Sequence, residues 1–328
     1  MRRRDLLKLL ACTAALTHQA RADAAWDDQT WTDPARHRSL PLRVRWPAGN
    51  GPCALVFFSH GLGGNRSGGA LWAEAWRSAG LAVVTVQHPG SDSDSEIWRG
   101  GLAALRRGAG LEQSIERVAD AHFVLDELER QQRDDPAWQR VRLDAVGFCG
   151  HSFGARLTQA VAGETPPAAR FAASLRQMRD ARPKAFIAFS PGFSAHEGMT
   201  DADVAARFGS IERAFLCVTG TKDDAMIVGD ATNAARRAVY RGLPPGRKAE
   251  LCLAGADHMT FAGQATPVAR SALLRREAAA AQLEPAHSAL VARVTSDWWR
   301  WQLLGDEAAR AALNAPTGLT GGDTWQQG

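Results

Sequence analysis

The sequence predicts one α/β domain built on a mostly parallel sheet of about eight strands, with helices on both faces. Three observations carry this. Short, continuous apolar runs rich in β-branched residues recur along the chain, as expected of strands buried on both faces. Stretches with helical apolar spacing lie between them, and such alternation implies parallel strands covered by helices. The length of 328 residues, with 45% hydrophobic and 23% charged content, suits a globular protein able to bury a large core. The same figures exclude intrinsic disorder, a collagen-like chain and a small disulfide scaffold. No apolar run reaches the roughly 18–20 residues that a bilayer helix needs.

Residues 1–22 read as a removable address. A basic start, a short apolar stretch and the small residues Ala20 and Ala22 have the three-part layout of a secretory signal. Within it, Arg3-Arg4-Asp5-Leu6-Leu7-Lys8 resembles the twin-arginine pattern, so export machinery is an expected partner and the periplasm or the exterior the expected location. This segment also explains the charge. The formal +4 comes from 39 basic and 35 acidic residues; without residues 1–22 the remainder is 34 of each. A neutral mature chain does not argue for a nucleic-acid partner.

Residues 23–328 are expected to form a single domain, with no internal repeat and no linker long enough to divide it. Strands are expected at Leu42–Trp46, Ala54–Ser59, Ala82–Gln87, Leu143–Cys149, Ala185–Ser190, Ala214–Thr219 and Ala249–Leu253. Helices fit between them near 68–79, 112–132, 153–162 and 229–242. In the second, Ile115, Val118, Ala119, Phe123, Leu125 and Leu128 recur close to the helical period. Past His258 the pattern is helical to about residue 313, with breaks expected at Pro267 and Pro285. Cys53, Cys149, Cys217 and Cys252 sit in apolar runs, where a free thiol is a small hydrophobe. Export would permit a Cys217–Cys252 disulfide, which the sequence does not decide. No CxxC spacing or His/Cys cluster points to a metal, and no cofactor is expected.

The chemistry falls at strand ends. Gly150-His151-Ser152-Phe153-Gly154 is a G-x-S-x-G pattern closing an apolar strand and opening a helix. That context marks a nucleophile elbow, a sharp turn that lifts the Ser152 hydroxyl above the sheet. A hydroxyl is a weak nucleophile at neutral pH and needs a base and an orienting carboxylate. The order Ser, acid, His is met by Asp223 after the strand 214–219 and His258 after the strand 249–253. Asp224 is a rival to Asp223, and Asp257 reads as a turn residue. His60, His88, His151 and His196 are expected to pack or hydrogen-bond rather than react. The loop Ser59-His60-Gly61-Leu62-Gly63-Gly64 leaves a strand beside this site. The backbone N–H groups of Leu62 and Phe153 are its expected oxyanion donors.

These motifs resemble the α/β-hydrolases, and most closely bacterial proteins of the platelet-activating-factor acetylhydrolase and dienelactone-hydrolase-like group. The resemblance rests on residues 59–66, His88-Pro89-Gly90-Ser91-Asp92, residues 150–154, Val118-Ala119-Asp120 with 123–128, Ala256-Asp257-His258-Met259-Thr260-Phe261 and Leu303-Leu304-Gly305-Asp306. It spans roughly residues 35–313 and implies the α/β-hydrolase fold with serine esterase chemistry on a small-molecule ester. Two departures limit it. Dienelactone hydrolases use Cys where this chain has Ser152. Acetylhydrolases place the acid after the strand that here runs into Pro191-Gly192-Phe193, without a carboxylate. An acid one strand later instead resembles cutinases and polyester hydrolases. Polyester or lipase activity, amide hydrolysis and acyl transfer therefore stand as alternatives. Between the strands that precede the acid, Pro191–Arg213 leaves room for only a loop and a short helix, not a large lid. Trp98 and Phe153 are expected pocket walls. Acyl chains of roughly two to six carbons are the expected substrates, since each buried CH₂ adds only about 0.8 kcal/mol.

Overall fold

A computed structural model describes residues 26–165, 178–193, 199–224, 232–264 and 278–328. Residues 1–22, Pro267 and His196, each given a reading above, lie outside them. Among the described residues nine strands form one sheet: β1 Asp27–Asp33, β2 Arg38–Arg45, β3 Cys53–Ser59, β4 Ala82–Val86, β5 Val141–His151, β6 Ala185–Phe189, β7 Ala214–Lys222, β8 Lys248–Asp257 and β9 Thr324–Gln327. Their order is β1-β2-β4-β3-β5-β6-β7-β8-β9. From β4 through β3 to β8 every neighbouring pair is parallel, whereas β1, β2 and β9 pair antiparallel. The chain runs outward from β3 to β4, then returns past β3 to β5. The direction of winding reverses there, and open sheets of this kind bind ligands beyond the strand ends at that point.

The middle of the parallel sheet is largely apolar because both faces are covered. In β3, Leu55 and Phe57 enter one core while Ala54, Val56 and Phe58 enter the other. The first core is closed by α3 Leu111–Asp134, α4 Phe153–Ala162, α5 Asp201–Phe208 and α6 Asn233–Gly242. The second is closed by α1 Ala70–Ser78 and the long α7 Ala278–Leu304. Trp76 stands edge-on to Trp299, with centroids 5.9 Å apart, and donates to Thr295 Oγ1 at 2.9 Å. Two further helices, α2 Gly101–Gly108 and α8 Glu307–Asn314, complete the described set.

Several expectations need correction. The edge strands β1 and β9 were not foreseen: β1 is mostly polar and partly exposed, with Trp31 its one large apolar residue, and β9 has only four residues. Pro285 lies inside α7 and does not break it. A proline there leaves the carbonyl one turn earlier without its donor. Ala281, which carries that carbonyl, faces outward, where water can serve it. The helix ends instead at Gly305, whose φ is 69°. All four described cysteines are buried and free, so no disulfide joins Cys217 to Cys252. Within Pro191–Arg213 the described part holds the eight-residue α5, consistent in scale with a short helix.

Candidate active site

The site is built where β3, β5, β7 and β8 end. Strand β5 turns into α4 at Ser152, whose φ of 57° is one of three positive values at described non-glycine residues. Such strain persists only where surrounding structure enforces it. The enforcement is visible at two glycines. A Cβ on Gly154 would collide with the Ser59 carbonyl, and one on Gly150 with the Gly154 backbone. The turn is therefore closed to a side chain two residues before and two residues after the serine.

Ser152 Oγ lies 2.9 Å from His258 Nε2, and His258 Nδ1 lies 2.8 Å from Asp223 Oδ1. The structure thus brings together the serine, the histidine and the first of the two candidate acids. His258 opens a 3₁₀ turn, His258–Ala262, whose start is capped by Asp257 accepting from Thr260 N–H at 2.9 Å. Trp72 of α1 donates to Phe261 O at 3.1 Å, which ties this turn to the second core. His151 donates from Nε2 to the His258 carbonyl at 3.0 Å and lies against its ring, centroids 4.7 Å apart. Burial drives the His151 pKa down to about 3, helped by the neighbouring His258, so this ring stays neutral.

Asp223 is fully buried. Burial pushes its pKa up, but the Arg236 charge and the His258 hydrogen bond outweigh that and hold it at about 2. Thr219 Oγ1 donates to its second oxygen at 2.9 Å. Asp224, by contrast, is exposed and accepts from Asn233 N–H at 2.8 Å, next to the start of α6.

Arg236 was missed from the sequence. Its guanidinium lies 2.9 Å from Asp223 Oδ1, donates to the Asp223 carbonyl at 2.6 Å, and reaches the carbonyls of Ser190 and Pro191 at 2.8 and 3.0 Å. It clamps the acid-bearing loop to the end of β6, the strand end that lacks a carboxylate. One signal could have revealed it: Arg236 stands one turn from Val239 and Tyr240 on the buried face of α6, where a free cation has no place.

The loop after β3 passes beside Ser152, with a Gly61 Cβ position 3.4 Å from the Ser152 Cβ. It is held by Gly63 N–H on Ser91 O at 2.8 Å and Gly64 N–H on Gly61 O at 3.1 Å. Among the described residues the Leu62 N–H has no acceptor. The Phe153 N–H opens α4, where first-turn amides have no helical acceptor. Trp98 packs its ring on Gly63, and Phe153 lies under the Arg117 guanidinium at 4.3 Å. Among the described residues no His, Cys, Asp and Glu group could hold a metal.

Beneath the loop lies a second Ser–His–Asp chain, also missed. Ser59 Oγ is 3.0 Å from His88 Nε2, and His88 Nδ1 is 3.0 Å from Asp120 Oδ2. All three residues are fully buried. Arg117 donates to Ser59 Oγ, the His60 carbonyl and Ser91 Oγ at 3.3, 2.6 and 2.9 Å. Arg38 grips both oxygens of Asp120 at 2.7 and 3.0 Å. His60 accepts the His88 N–H at 3.1 Å. His60, His88 and His151 are thus all engaged in hydrogen bonds, as expected.

No protein-family model matches the chain, and no curated protein sequence matches it. Among solved structures it is similar to 2,6-dihydroxy-pseudo-oxynicotine hydrolase, with a TM-score of 0.52 and 14% identity over 85% of this chain and 68% of that one. It is also similar to dienelactone hydrolase from Anabaena variabilis, with a TM-score of 0.50 and 16% identity over 85% of this chain and all of that one. Together with the sheet order, these likenesses establish the α/β-hydrolase fold.

Proposed function

We propose that this α/β-hydrolase-fold chain is an exported serine esterase that cleaves short-chain carboxylic esters through an acyl-enzyme. One observation carries the reading: an unbroken Ser152–His258–Asp223 hydrogen-bond chain of 2.9 and 2.8 Å, ending on a strained serine at a helix N-terminus. Ser152 Oγ attacks the ester carbonyl while His258 Nε2 takes its proton, and Asp223 holds the imidazolium that forms. The N–H groups of Leu62 and Phe153 receive the developing oxyanion. As the tetrahedral intermediate collapses, the C–O bond to the alcohol breaks and His258 returns the proton to the leaving oxygen. Water then repeats the sequence on the acyl-enzyme, releasing the acid and restoring Ser152.

The short-chain preference is supported by the modest insertions around the site, which leave little apolar area to reward a long chain. The test is kcat/KM for p-nitrophenyl esters from acetate to palmitate, below and above their aggregation threshold. A maximum at roughly two to six carbons is expected. A maximum at about twelve or more, or a jump at the threshold, would make the protein a lipase. Export is tested separately, by mass spectrometry of the native N-terminus: a chain starting near Asp23 is expected, and an intact residue 1–22 segment on a cytoplasmic pool would contradict it.

A further inference from the structure

On the nucleophile helix α4, Phe153, Arg156, Leu157 and Ala160 share one face, at the spacing of successive turns. That face, the facing side of α3 and the segment after β6 line a cavity of about 170 Å³, and Phe153, the neighbour of Ser152, is one of its walls. Its walls are largely apolar, but three guanidinium groups border it, those of Arg117, Arg156 and Arg207, against one carboxylate, Glu164.

Two of the three cations are committed. Arg117 directs its donors to Ser59, the His60 carbonyl and Ser91. Arg207 Nε bonds Glu164 Oε1 at 2.5 Å, and the other oxygen of Glu164 accepts from Gln159 at 3.0 Å. Arg156 is different. Among the described residues its side chain has no hydrogen-bond or salt-bridge partner, and its nitrogens are not among the sealed, unpartnered atoms of the interior. It is thus a cavity-lining cation without a described partner. Burial lowers its pKa, and the like charges of Arg207 and Arg236 add to that, with Glu164 opposing. A partly buried arginine without a partner costs stability, and an anion in the cavity would offset the cost with a bidentate pair.

We propose that Arg156 forms an anion subsite of the acyl pocket, so that preferred substrates are short-chain esters whose acyl group ends in a carboxylate. The inference rests on the esterase reading above. Arg156 stands four residues beyond Ser152, a rise of about 6 Å along the helix. In an adipoyl chain the two carboxyl carbons are separated by five bonds, a span of about the same length. The cavity is small and bordered by cations, which suits a short acyl chain ending in a carboxylate better than a long fatty acyl tail.

The experiment compares p-nitrophenyl hydrogen adipate with p-nitrophenyl hexanoate, which have six acyl carbons each. The wild-type protein is expected to favour the anionic ester by roughly 10- to 100-fold in kcat/KM, the worth of one charge-assisted contact. Arg156→Gln is expected to bring that ratio to about one or below, and Arg156→Lys to keep part of it because the charge remains without the planar fork. Independently of any variant, adipate should inhibit the wild-type protein competitively and hexanoate only weakly. A wild-type preference for hexanoate, or an unchanged ratio in Arg156→Gln, overturns the subsite and leaves the esterase reading standing. Turnover of neither ester, with no covalent labelling of Ser152 by a fluorophosphonate, means that the esterase reading itself has failed and the subsite falls with it.

Discussion

Two Ser–His–Asp chains lie on either side of the same loop, with nearly the same internal distances. In Ser152–His258–Asp223 the contacts are 2.9 and 2.8 Å; in Ser59–His88–Asp120 both are 3.0 Å. Everything around them differs. The His258 side chain keeps 17% of its surface open, whereas the His88 side chain has none. Ser152 is held at a positive φ above a helix N-terminus, while Ser59 is the last residue of a regular strand. Asp223 leans on one arginine; Asp120 is gripped by Arg38 and lies 2.9 Å from Arg36 Nη2. Residue types and hydrogen-bond lengths therefore do not define a reactive centre. On the proposed reading, access, a strained serine and nearby free amides do, and of the two chains only the first has them. The second is a pin: it ties β2, β3, β4 and α3 together behind the loop that carries the Leu62 amide.

The largest expected contrast is between the two serines. Ser152→Ala should lower ester turnover roughly 10⁴-fold or more, and Ser59→Ala less than about tenfold. Steady-state kinetics on p-nitrophenyl butyrate would separate them. Retention of more than about a tenth of the activity in Ser152→Ala would remove Ser152 from the nucleophile's role. The two acids should diverge in kind. Asp223→Asn leaves His258 with the wrong tautomer, a defect worth about 10⁴-fold in a well-studied triad, with the fold kept. Asp120→Asn, read by urea titration, should instead cost about 3 kcal/mol of stability, because it leaves buried cationic and histidine partners uncompensated.

The contrast also maps onto what was legible beforehand. Ser152 was readable because its glycines and its strand-to-helix setting sit within five residues. Asp223 and His258 followed from chain order and from their places at strand ends, although the choice between Asp223 and Asp224 needed coordinates. The buried chain had no such spacing. Ser59, His88 and Asp120 come from two strand ends and a helix, and their one trace is that Arg117 and Asp120 share the apolar face of α3. Arg236 left the same trace on α6 and was equally overlooked. The sheet's central strands were legible because burial on both faces makes them uniformly apolar. The edges β1 and β9, wet on one side and mixed in composition, carried too weak a signal.

A smaller difference should appear on acidification. Burial lowers the His88 pKa to about 4 in the folded protein, despite the Asp120 hydrogen bond. The unfolded chain takes up the proton near 6.5. Since the folded pKa is the lower one, stability is full above about pH 6.5 and falls as pH drops toward 4, by up to about 1.4 kcal/mol per unit for this histidine. His151, at about 3, adds to the loss over the same range and below it. Urea midpoints at pH 7 and pH 4.5 would show the fall, and His88→Asn should flatten part of it. A midpoint unchanged between the two pH values would mean that His88 is not held neutral. The smallest effect is reserved for Asp224→Asn, expected within about threefold of wild-type activity, because among the described residues this exposed carboxylate accepts only the Asn233 N–H.

The most direct test of the distinction between the two chains is covalent labelling of the intact protein with a fluorophosphonate, followed by peptide mass spectrometry. Phosphonylation requires an accessible, activated hydroxyl with oxyanion donors beside it. The adduct is expected on Ser152 and on no other serine, and it should disappear in His258→Ala. Labelling of Ser59, or an unlabelled Ser152 in folded protein, would contradict the assignment of the reactive centre.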